Sequence, residues 1–141
     1  MRPFHVTIHA CPERLLVAQH RLIDGNDVEV LLVDPSELCL PFRVSFDAVA
    51  ERLTTLPRVF FEPDGSFVWV SSKGRGDWQL DGLLTDGREN LMTIELKGIA
   101  GWDVLQPLLE TIDWPNRDVL FQDMQRGVFF SSVAFRDFFT T

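Results

Sequence analysis

The chain has 141 residues, the size of one ordinary domain, and 45% of them are apolar, ample for a single buried core. Its 13 basic and 21 acidic residues leave a formal net charge of −8, which favours solubility and argues against broad binding to nucleic acid or anionic membrane. The apolar runs fall far short of the roughly 20 residues that span a bilayer, and the N-terminal MRPFHVTIHA has no long apolar segment or small-residue cleavage site. With Cys11 and Cys39 far apart, reduced thiols in a cytoplasmic protein are the expectation.

In chain order, PFHVTIHA sets Phe4, Val6, Ile8 and Ala10 against His5, Thr7 and His9, the period of a half-buried strand. RLLVAQHRLI is open to two readings: a strand entering a hairpin at Asp24-Gly25-Asn26, or a short helix after Pro12. VEVLLVDP is a strand closed by Asp34-Pro35, and CLPFRVSF is expected as a further strand with Pro41 at an edge or bulge. Phe46, Val49, Ala50 and Leu53 have helical spacing before Pro57, which predicts a helix over 46–56. RVFFEPDGSFVWVSS reads as a hairpin turning at Pro63-Asp64-Gly65-Ser66. WQLDGLL and LMTIELKG give two more strands, and WDVLQPLLETI a helix disturbed at Pro107. DVLFQDM and GVFF follow as strands, and SSVAFRDFF as a helix capped by Ser131 or Ser132. The sum is a single α+β domain over residues 1–141, with a mixed or mostly antiparallel sheet and two to three short helices.

The stretch WQLDGLLTDGRENLMTIELKG carries the most chemistry. If its turn is centred on Arg88, Asp81 sits opposite Glu95, with Cβ atoms roughly 5 Å apart, and Gln79 opposite Lys97. Two carboxylates that close repel unless a cation or proton lies between them. A hard ion such as Mg²⁺ suits the pair, and Lys97 on the same face could stabilise developing negative charge. If Asp86-Gly87 forms a two-residue turn instead, Asp81 moves opposite Met92 and Glu95 opposite Trp78, and the pair is split.

Asp81, fourteen residues, then Glu95-Leu96-Lys97 followed by a glycine and a helix resembles the core of the PD-(D/E)xK nuclease-like superfamily. That core runs helix, three strands, helix, strand, and the resemblance covers about Ser45 to Met124. It implies a Mg²⁺-dependent phosphodiester hydrolase acting on nucleic acid, with Asp81 and Glu95 as metal ligands and Lys97 as the catalytic lysine. The Leu96 carbonyl would be a third ligand, and Glu51, on the first helix, stands where some members carry an additional acidic ligand. The extra strand RVFFEP and the first 45 residues depart from the pattern. Arg58, Lys73, Arg75 and Arg88 are expected to gather on loops near such a site.

Two other features compete. His5-Val6-Thr7 has the His-x-Thr pattern of 2H phosphoesterases without a second copy, and His5 and His9 on one strand lie about 13 Å apart, too far to share a metal. A polar strand face is the expected reading of both. Phe129, Phe130, Phe135, Phe138 and Phe139 crowd the C-terminus. Docked on the sheet they are core; left exposed, they would mark a non-catalytic protein-binding or homodimerisation domain.

Overall fold

A computed structural model describes residues 1–72 and 77–141. Nine strands and three helices follow in the order β1 (Phe4–Ala10), β2 (Val17–Ile23), β3 (Asn26–Leu32), α1 (Phe46–Thr54), β4 (Val59–Phe61), β5 (Ser66–Val70), β6 (Gln79–Asp86), β7 (Leu91–Gly98), α2 (Trp102–Glu110), β8 (Val119–Asp123), β9 (Phe129–Ser131) and α3 (Ser132–Phe139). The strands form one sheet in the order β2-β3-β9-β8-β1-β7-β6-β5-β4. Each pairing is antiparallel, so the α+β expectation holds in its antiparallel form.

The alternation in β1 decides which face is buried. Val6 faces Leu96 and Ile8 faces Ile94 on β7, while Ile8 also faces Phe121 on β8, and these side chains are at most 1% exposed. The same face continues through Leu80, Leu84, Phe67 and Trp69 on one side and Phe130 and Val30 on the other. All three helices cover it. Phe135 of α3 stacks on Phe121 with centroids 4.1 Å apart and meets Phe4 edge-on at 5.3 Å. Phe46 of α1 lies against Phe61, and Arg52 of α1 donates to the Thr111 carbonyl just after α2. Two tryptophan pairs meet edge-on at its margins: Trp69 with Trp78 at 5.2 Å, and Trp102 with Trp114 at 5.5 Å.

Local signals set the element ends. Ser45 caps α1 by accepting from the Ala48 amide, Ser131 caps α3 by accepting from the Ala134 amide, and Pro57 lies just past the end of α1. Pro107 sits inside α2 rather than ending it, leaving the Asp103 carbonyl without its usual partner one turn on. The open reading of RLLVAQHRLI resolves to a strand: Asp24 (φ 49°) and Gly25 (φ 79°) make a two-residue turn that pairs β2 with β3 along all seven residues.

CLPFRVSF does not form a strand, which corrects that expectation. Pro35 opens a 3-10 turn over Pro35–Cys39, capped reciprocally by Asp34 and Glu37. Beyond it, the Phe42 amide donates to the Leu91 carbonyl and the Val44 carbonyl accepts from the Leu91 amide. Pro41 has no amide to offer a ladder.

Candidate functional site

The face of the sheet opposite the helices carries the polar members of the central strands. His5, Thr7 and His9 of β1 share it with Lys97, Glu95 and Thr93 of β7, because His5 pairs with Lys97, Thr7 with Glu95 and His9 with Thr93. Asp81 and Leu83 of β6 continue the rows, since Asp81 pairs with Lys97 and Leu83 with Glu95.

The β6–β7 register is therefore neither of the two expected ones. The four-residue turn Gly87–Asn90 displaces the pairing by one residue and an irregularity between Thr85 and Asp86 by one more, so Asp81 faces Lys97 instead of Glu95. The two residues remain on one face as diagonal neighbours, positions that lie about 7–8 Å apart along a ladder. Each has a different partner. His5 Nε2–H donates to Glu95 Oε1 at 2.8 Å, and Gln79 Nε2 donates to Asp81 Oδ1 at 3.1 Å. Lys97 stands directly opposite Asp81 in the ladder. Glu51 lies on α1, whose Val49 and Leu53 are buried on the helix-covered face, so the sheet stands between Glu51 and the other two carboxylates. Among the described residues no three His, Cys, Asp or Glu side chains come together as a metal set. Asp81 and Glu95 each accept from their own donor, Gln79 and His5, and among the described residues no third ligand stands beside them.

Of the loop cations, the two described ones do not gather there. Arg58 donates through Nε to the Val70 carbonyl, beside the start of β6, whereas Arg88 lies in the turn at its far end. Lys73 and Arg75 fall outside the described residues.

His9 is 7% exposed, and its Nε2–H donates to Gln122 Oε1 at 2.8 Å. Its Nδ1 is buried and meets no hydrogen-bonding group of the described residues. Burial holds the ring's pKa below the usual 6.5, against the opposing effect of the Gln122 hydrogen bond. His9 is thus a neutral, wedged histidine, in line with the polar-face reading.

Two concavities lie away from this face. The larger, about 860 Å³, is bounded by Cys11, Arg14, Leu40, Phe42, Arg43 and Arg117, among others. Its guanidinium groups are committed: Arg14 to Glu37, Arg43 to Glu13 at 2.5 Å and Arg117 to Asp113 at 3.7 Å. Burial, helped by Asp118, pushes the Cys11 thiol up to about 11, so it is no nucleophile at neutral pH.

Four of the five C-terminal phenylalanines are docked core, the first of the two readings left open, and they do not offer the exposed surface of the second; Phe129 is half-buried, near His9. Phe130, Phe135, Phe138 and Phe139 are at most 8% exposed, packed on one another and on Phe4 and Phe121.

The sheet edges differ sharply. β4 has three residues set between Pro57 and Pro63, which deny it length and donors. β2 has seven residues, no proline, no lysine and no bulge, and all but Ile23 are exposed. Val17 is 60% exposed and Leu22 79%. The Asp24-Gly25 turn fixes which of its backbone groups are free. Ile23 and Asn26 close the turn as a hydrogen-bonded pair, so Val17, Gln19, Arg21 and Ile23 bond inward to β3 while Ala18, His20 and Leu22 point N–H and C=O outward. Pairing in the first half of the chain was needed to see this, and the sequence signal was only the Asp-Gly dipeptide.

No protein-family model, curated protein or solved structure matches the chain. Among the described residues no helix is long and apolar enough to cross a membrane.

Proposed function

We propose that this chain is a protein-interaction domain that binds by adding an extended strand to β2. The observation that carries the reading is the outward row of N–H and C=O groups at Ala18, His20 and Leu22, which have no backbone partner among the described residues, on an edge with no proline and no bulge. Strand addition takes its affinity from main-chain hydrogen bonds and its selectivity from alternate side chains. Here Ala18 and Leu22 flank His20 on one face, and Val17, Gln19, Arg21 and Ile23 lie on the other.

Titrating the ¹⁵N-labelled chain with an extended threonine–valine heptapeptide tests this. Saturable shifts and slowed amide exchange at Ala18, His20 and Leu22 are expected. Binding that leaves those three amides unchanged would sink the reading.

A Mg²⁺-dependent nuclease-like hydrolase, built on Asp81, Glu95 and Lys97 and acting on nucleic acid, is the second reading. What favours it is that these three side chains share one face. Against it stand the Lys97–Asp81 pairing, the His5–Glu95 bond and the separation of Glu51. A millimolar Mg²⁺ titration is expected to leave the amides of 81 and 95–97 in place, whereas saturable shifts abolished by Asp81→Ala would restore the hydrolase.

A further inference from the structure

We infer that the strand added to β2 is β2 of a second copy of this chain, joined antiparallel about a two-fold axis through His20. The inference rests on the strand-addition reading and names its partner. It follows from which registers the edge permits. Only outward-pointing residues can form the hydrogen-bonded pairs of a new antiparallel ladder, and on β2 these are Ala18, His20 and Leu22. A symmetric pairing must therefore set even-numbered residues opposite even-numbered ones.

Three such registers keep most of the strand paired, and the side chains choose among them. Centred on His20, Ala18 faces Leu22 of the second copy, Val17 faces Ile23, and Gln19 faces Arg21, so apolar meets apolar and amide meets guanidinium. Centred on Gln19, the ladder puts Val17 against Arg21. Centred on Arg21, it puts two guanidinium groups face to face and Gln19 against Ile23. Only the first is self-complementary along its length, and it uses every outward group, giving about six main-chain hydrogen bonds.

The exposed apolar side chains then find a use. Leu22 and Ala18 of the two copies form an apolar pair on each side of the two central His20 side chains, on the face opposite the helices, and Leu31, which pairs with Ala18, extends each pair. Val17, beside the half-exposed Leu32, meets Ile23 of the second copy on the other face. An isologous contact of this kind closes on itself and leaves the short, proline-flanked β4 strands as the outer edges of a continuous sheet. Seven residues a side, against about 20–30 in a standard interface, make it a weak association that fills with concentration.

Sedimentation velocity over a concentration series tests the inference. The wild-type chain is expected to move from monomer to dimer. His20→Pro removes the central donor without touching the β2–β3 ladder, and should raise the dissociation constant about tenfold or more. Leu22→Lys should weaken the dimer, and adding Ala18→Glu to it should restore association, because positions 18 and 22 face each other twice in this register and in no other. A wild-type chain that stays monomeric at every concentration overturns the second copy as partner while leaving strand addition to the peptide titration. A dimer that neither His20→Pro nor Leu22→Lys weakens overturns the choice of β2 itself.

Discussion

A methyl group placed on Gly82 would stand 2.1 Å from the Phe67 ring, which is buried and stacked on Phe61. Gly82→Ala is expected to destabilise the fold by about 1–3 kcal/mol, read as a lower urea midpoint at unchanged slope. Neither the strand pattern nor the turn residues around WQLDGLL single this glycine out. What demands it is an aromatic on the neighbouring strand, and that needs the β5–β6 register. His9 gives the pH dependence a sign. Its folded pKa lies below the usual 6.5, so the unfolded chain takes up the proton first. The stability His9 contributes is complete above about 6.5 and declines as pH falls through that value toward the folded pKa. Urea midpoints measured from about pH 8 to about 5 should show this decline flattened in His9→Leu.

At the scale of elements, the two sides of β2 should answer proline differently. His20→Pro removes an outward amide and should leave the melting temperature of the monomer almost unchanged, whereas Arg21→Pro breaks an inward bond to Val28 and should cost about 1–3 kcal/mol in a thermal melt. Elements whose punctuation is local were legible: the α1 and α3 caps, the β4–β5 hairpin and the strand alternation of β1 follow from residues a few positions apart. The β6–β7 register was not, because a four-residue turn and an irregularity at Thr85 set it together, and neither is marked in the residues around Asp86-Gly87. The CLPFRVSF stretch failed for a related reason. Its alternation is real, but Pro35 and the Asp34–Glu37 capping pair bind the chain before a strand partner can.

For the molecule as a whole, the core is concentrated where α3 meets the middle of the sheet. Phe135 touches Phe4, Phe121 and Phe139, and Phe135→Ala should remove about 3–5 kcal/mol, a large part of the roughly 5–15 kcal/mol that a domain has in total. Loss of the cooperative urea transition at ambient temperature, or a steep fall in its midpoint, would show it. Aromatic crowding at the C-terminus was plain in the sequence, but whether those rings were buried depended on β1 standing between β7 and β8. The same central placement brings His5 to Glu95 across 90 residues of chain, a contact no local pattern could announce. The chain has four tryptophans and no tyrosine, and the tryptophans meet edge-on in two pairs, one against the β5–β6 strands and one at α2. Ultraviolet emission therefore comes almost entirely from two indole pairs, so replacing both members of one pair, Trp69 with Trp78 or Trp102 with Trp114, by phenylalanine would leave the other pair as a built-in optical probe of its own margin of the core.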